Sequence, residues 1–255
     1  MLKFFRRIRY NLMEQNKTSK YFKYALGEII LVVIGILIAL AISNWNTERI
    51  NTNRNYDLLV KLSRELDLNI ERCALLDSIN EGGFKYRFIY TDSIMKILDN
   101  GVERENLDFL VSNQIFYINT FNLNTSVFEE LKNTGSLYAL GSDSLVTSIQ
   151  LYYQLCDRES FYNLTYSNEV IHLKEICYES GWANFNHLYK INPTEAINDN
   201  PWIFNPKSKA YLDFINFVEY ASNHSLLISG KLKGIIKASQ DLQQLIAKEL
   251  PNDKS

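Results

Sequence analysis

Glu169-Val-Ile-His172 sets a carboxylate and an imidazole three residues apart. Di-iron carboxylate proteins use that spacing to aim two ligands inward from one helix. Such a centre needs a second copy, and the other histidines do not supply one: Asn184 stands three before His187 and Ala221 three before His224. Glu169 and His172 are therefore expected on a helix surface. Zinc is no better served, because the three cysteines and three histidines lack the short C-x-x-C or H-x-x-x-H spacings that bring ligands to one centre. Cys177 and His172 have the composition of a thiol nucleophile and its base, but a packed core cysteine accounts for Cys177 more simply. G-x-S-x-G, a phosphate-cradling glycine loop and a helix-turn-helix signature are all missing from the sequence. No enzymatic activity, metal or cofactor is expected.

The elements that would carry any site are helical by the same reading. No proline precedes Pro193, and three of the four prolines fall at Pro193, Pro201 and Pro206. A long chain without proline suits uninterrupted helices. The net charge is -2 and the basic residues gather at the N-terminus, so nucleic acid is not an expected partner. An odd cysteine count, Cys73, Cys156 and Cys177, argues against a disulfide framework. On one helix Cys156 and Cys177 would lie about 30 Å apart, which leaves Cys73 as the only partner for either.

The apolar run from Ile29 to Ile42 decides the location. Ala25 to Ser43 holds one charge, Glu28, close to its start, and a helix of that length covers roughly 28 Å, enough to cross the hydrocarbon of a bilayer. Tyr21, Phe22 and Tyr24 stand at one end and Trp45 at the other, where amphipathic rings favour the headgroup level, so Tyr24 and Trp45 are expected as interface anchors. Lys3, Arg6, Arg7, Arg9, Lys17, Lys20 and Lys23 precede the run, whereas Arg49, Arg54 and Lys61 follow it. The excess keeps the N-terminus cytoplasmic and sends about four fifths of the chain outside. Phe5, Ile8 and Leu12 share a face of the leader with the arginines around the other, which suits an anionic lipid surface. A cleaved signal peptide is the competing reading, since Ala39-Leu40-Ala41 resembles a processing site. A leader of over twenty residues, the entry glutamate and apolar character continuing to Trp45 count against it. A buried core helix suits the run least, because no face of it is polar.

With its FFRRIRYNL prelude, the run KYFKYALGEIILVVIGILIALAISNWN resembles a family of uncharacterised single-pass membrane proteins from Bacteroidota, known as a domain of unknown function. Phe128 to Tyr153, FEELKNTGSLYALGSDSLVTSIQLYY, is similar to that family's extramembrane signature: a short helix, a Ser/Thr-Gly break, and a helix ending in paired tyrosines. The resemblance implies an inner-membrane protein with a helical periplasmic domain and brings no activity with it.

Beyond the run, Tyr56, Leu59, Leu62, Leu66, Ile70, Cys73 and Leu76 recur at helical steps, and Gly82-Gly83 ends that helix. A second helix is predicted from Phe84 to Asn100, with Gly101 as its stop. Residues 105–124 are apolar enough for strand or buried helix, and helix is favoured because no turn pairs them with another strand. Ser126-Val-Phe-Glu129 predicts a capping box and Gly135 an ending. Ser142 should cap a helix reaching Ser180, stopped by Gly181. Residues 182–205 predict an ordered loop in which Trp182, Phe185, Trp202 and Phe204 find apolar partners. Asn205-Pro206 should start a last helix with Phe214, Val218, Ala221, Ile228, Leu232, Ile235, Leu242 and Ile246 on one stripe, broken at Ser225 and Ser239.

The expected architecture is all-α: a basic leader over 1–24, a transmembrane helix over 25–45, and an antiparallel helical-bundle domain with long helices over 46–255. Gly35, Ala39 and Ser43 repeat every four residues, and Glu28 lies seven before Gly35 on nearly the same side. They are the candidates for association with another membrane helix. The lipid bilayer is an expected partner, and so is a second copy or another membrane protein. The function expected is a membrane-anchored periplasmic binding or interaction module. A ligand-sensing bundle working through a partner is the variant, because two dozen cytoplasmic residues are too few for an output domain. A metal-dependent enzyme and a cleaved soluble protein are the remaining alternatives.

Overall fold

The computed structural model of the chain describes residue 10 and residues 18–80, 82–113 and 119–250. Among these residues every regular element is helical and none is a strand, so the chain is all-α as its sequence predicts. Two compact units divide it, residues 1–57 and residues 58–255.

α1 runs from Thr18 to Leu76. In the first unit its apolar residues are exposed throughout: Ile30, Ile34, Ile38 and Ile42 all keep about half or more of their surface free. Among the described residues it is the one helix long and apolar enough to cross a membrane, and none of its most apolar window is buried. By length and composition it suits a membrane span or a signal sequence. Lys3, Arg6, Arg7, Arg9 and Lys17, with the leader face of Phe5, Ile8 and Leu12, lie outside the described residues, as do the side chains of Lys20, Tyr21 and Tyr24.

In the second unit Leu59, Leu62, Leu66, Cys73 and Leu76 of the predicted α1 stripe are buried, together with Leu58, whereas Ile70 is half-buried and Tyr56, in the first unit, is exposed. α2 (Phe84–Asn100) has the predicted bounds and ends at Gly101. The 105–124 segment departs from expectation. A single 3-10 turn (Arg104–Asn106) leads into the short α3 (Leu107–Ser112), residues 114–118 lie outside the described set, and 119–125 form no helix. The reason lies in α1, whose side chains occupy the backbone groups a helix would have paired. Arg72 donates to the carbonyls of Thr120 and Phe121 at 3.0 and 2.9 Å. Asn69 donates to Asn124 O at 3.0 Å and accepts from Asn124 N at 2.7 Å. Phe121 is buried beneath them.

α4 (Ser126–Asn133) starts without the predicted capping box. Thr125 holds the cap position, and the amide of Val127 donates instead to Glu65 Oε2 of α1 at 2.7 Å. Gly135 follows in the left-handed region at φ 68°, where a side chain would be strained. Ser142 caps α5 (Asp143–Cys177) as expected, accepting from Leu145 N at 3.4 Å.

Gly181 interrupts the helix as predicted: its backbone is non-helical, and at this kink α5 with the turn after it (Tyr178–Trp182) meets α6 (Ala183–Ile191). Gly181 carries φ 135°, and a Cβ built there would stand 3.1 Å from Trp202 Nε1. Gly181→Ala should therefore lower stability by about 2 kcal/mol, read as a shift in the urea midpoint, because both the backbone and the indole resist it. An unchanged midpoint would show that the bend tolerates a side chain.

The predicted loop over 182–205 is also corrected, since it folds as α6, α7 (Pro193–Asp199) and a 3-10 turn (Pro201–Phe204). Its prolines occupy first-turn positions, where the missing N–H costs nothing, and Asn192 caps α7 by accepting from Glu195 N at 3.3 Å. The aromatic residues do find partners: Trp182 stacks on Phe214 with centroids 4.2 Å apart, and Phe185 meets Trp202 edge-on at 5.9 Å. α8 (Lys209–Glu249) begins at a Ser208 cap, three residues later than predicted. Asn205 is spent on an Asx turn, accepting from Lys207 N at 3.1 Å.

α5 and α8 run antiparallel. Ser142, Tyr152 and Glu159 bond in turn to Glu249, Ser239 and Lys231, so α8 descends as α5 ascends. All eight predicted stripe positions of α8 are buried, and so are Ser225 and Ser239. Ser225 returns its hydroxyl to Ala221 O at 2.8 Å, and Ser239 donates to Ile235 O or Tyr152 OH, so neither buries an unmet donor.

Candidate functional site

On α1, Glu28 is partly buried, and Ala39 and Ser43 are exposed; a Cβ added at Gly35 would meet nothing within 4 Å. At 100° per residue the four positions fall within about 80° of one another around the helix. They form one open strip of small residues with a carboxylate at its head. Lys23 is exposed, and so is Trp45, over whose ring Arg49 places its guanidinium at 5.5 Å from the centroid.

Glu169 and His172 are both exposed on α5, so the structure gives them no inward aim. Among the described residues no group of three His, Cys, Asp or Glu side chains is placed to hold a metal ion. Cys73, Cys156 and Cys177 are free and buried. Burial, with the charge of Asp213 adding to it, pushes the Cys177 thiol up to about 12. Burial likewise pushes Cys73 and Cys156 up to about 12. At neutral pH these are thiols and not nucleophilic thiolates.

The second unit holds a feature that sequence reasoning missed. Its buried apolar residues form two clusters, and α2, α5 and α8 turn polar between them. α5 contributes Cys156 to one cluster and Cys177 to the other, with Glu159, Asn163 and Ser167 buried in the interval. In α8 the interval from Ala221 to Ile228 buries Ser222, His224 and Ser225. In α2, Arg87 and Thr91 lie between Phe84 and Ile94. On each of these helices a polar layer thus lies between the two apolar clusters.

Most of this layer is bonded. Lys231 donates to Glu159 Oε2, and Arg158 to Glu159 Oε1 at 2.6 Å. Burial raises the Glu159 carboxyl, but the hydrogen bonds and charges of Lys231 and Arg158 outweigh it and hold the group below the usual carboxylate range. Thr91 donates to Arg87 O at 2.9 Å, and Asn163 donates to Asn119 O at 2.7 Å. His224 differs: its ring is 3% exposed and, among the described residues, neither nitrogen has a hydrogen-bond partner. The ring sits edge-on to Phe84 at 5.8 Å and tilted to Tyr166 at 6.1 Å. Burial lowers its pKa to about 4, with the Arg87 charge acting in the same direction, so the imidazole is neutral at pH 7. The sequence signal was there, since His224 and Ser225 interrupt an otherwise apolar stripe.

A shallow cleft of about 270 Å3 opens between α5 and α8, lined by Leu173, Asn216, Glu219, Tyr220 and Asn223. Its amides, hydroxyl and carboxylate offer hydrogen bonds but no nucleophile paired with a base. No protein-family model matches the chain, and neither a curated protein nor a solved structure does.

Proposed function

We propose that the chain is a single-pass inner-membrane protein with its N-terminus in the cytoplasm, whose helical bundle acts in the periplasm as a binding or interaction module. The observation that carries this reading is the exposure of the apolar stretch of α1: no side chain of its most apolar window is buried. Fourteen apolar residues in a row left in water would be an aggregation site, whereas lipid covers them without cost. The basic residues ahead of the stretch supply the orientation. The likeness of the first sixty residues to single-pass proteins of Bacteroidota points the same way.

Association with another membrane helix uses the strip of Glu28, Gly35, Ala39 and Ser43. Small residues let a second backbone approach closely, and a carboxylate at the edge of the apolar layer gains from a hydrogen-bonding partner. The second helix belongs to another membrane protein or to a second copy.

Crosslinking in intact cells, followed by mass spectrometry of the full chain, tests both statements. An uncleaved chain of 29.7 kDa joined to a defined neighbour is the expected result. A lone chain shortened by about forty residues would mean cleavage after Ala41 and would overturn the anchor. Glu28→Gln and Glu28→Leu should each reduce the crosslinked yield several-fold; full yield from both would remove Glu28 from the interface.

A further inference from the structure

The polar layer contains one group whose charge state the packing does not accommodate. His224 projects from α8 into a space closed by α2 and α5. α2 presents the Phe84 ring and the guanidinium of Arg87, itself 4% exposed and lying 4.8 Å over that ring. α5 presents the phenol ring of Tyr166. Arg87 is the charged group that acts on the imidazole. Glu159, the buried carboxylate of the layer, is already engaged by Lys231 and Arg158. A proton on His224 would create a second cation beside Arg87, between aromatic walls, with neither N–H bonded among the described residues.

We propose that the polar layer is an acid-sensitive joint, at which protonation of His224 loosens α2 and α5 from α8 and uncouples the two apolar clusters. An imidazole reaching solvent titrates near 6.5, whereas in the closed form burial keeps it neutral down to about 4. Between those values the opened form binds one proton more than the closed form. Stability is therefore constant above about pH 7, falls as pH drops through 6.5 towards 4, and levels off below. The ratio of open to closed molecules rises about tenfold per pH unit inside the window. The device is independent of where the chain resides.

Amide hydrogen exchange on the full chain in detergent micelles, corrected for the intrinsic rate at each pH, reads this directly. From pH 6.5 to pH 5, above the titration of ordinary carboxyls, exchange in α2 and around residues 220–230 should rise about fifteenfold. His224→Gln should flatten the rise, and His172→Gln, on an exposed histidine, should leave it intact. A flat wild-type profile, or a wild-type slope retained in His224→Gln, overturns the proposal. Should His224→Gln fail to fold, the wild-type chain labelled at histidine Cε1 gives the answer by NMR: a His224 midpoint near 4 supports the joint, and one near 6.5 refutes it.

Discussion

Arginine at both Ile34 and Ile38 should move the protein from the membrane fraction to the soluble or aggregated fraction. The two positions are one turn apart in the middle of the apolar stretch, and each is about half exposed. On the biological insertion scale an arginine at a helix centre costs about 3 kcal/mol, and the isoleucine it replaces had favoured insertion. Two substitutions therefore remove about 6 kcal/mol or more, beyond what a stretch of this length holds in reserve. Neither residue belongs to the second unit's buried clusters, so urea unfolding of any soluble product should be unaltered. Alkaline carbonate extraction checks the outcome: a double variant that still pellets with membranes would mean that something other than this helix holds the chain there.

Phe185→Ala should cost about 4 kcal/mol, the larger part of a typical domain's stability. Phe185 is fully buried, with Trp182, Tyr189 and Trp202 at centroid distances of 5.7, 5.5 and 5.9 Å. Truncation leaves a cavity whose walls belong to two short helices and a turn that cannot collapse without losing their caps. Phe161→Ala supplies the contrast, since that ring is 65% exposed and should change stability by less than about 0.5 kcal/mol. Tryptophan fluorescence during urea titration reads both. Equal losses in the two variants would contradict the burial pattern.

These two sites show what could be read in the sequence. The apolar run of α1, the bounds of α2, the Ser142 cap and the stripe of α8 are legible because each depends on nearest neighbours along one helix. The aromatic residues of 182–205 announce burial, but their helices were hidden behind Pro193 and Pro201, which mark a first turn as readily as a break. The stretch around residues 119–125 could not be read locally at all. Its backbone is held by Glu65, Asn69 and Arg72, residues 49 to 62 positions earlier in the chain. The same holds for the polar layer. Arg87, Asn163 and His224 each look like an isolated polar residue on its own helix, and only their place between the two apolar clusters makes them a site. The open strip on α1 was legible as a pattern of small residues.

Because buried polar residues of α5 and α8 pair across the helices, they also fix axial register. A slip of α8 by one turn, 5.4 Å, would carry Lys231 away from Glu159 and set a buried carboxylate against aliphatic neighbours. Leucines and isoleucines alone would tolerate such a slip, one methyl group standing in for another. The alignment of these long helices is therefore encoded by the few side chains that cannot exchange places.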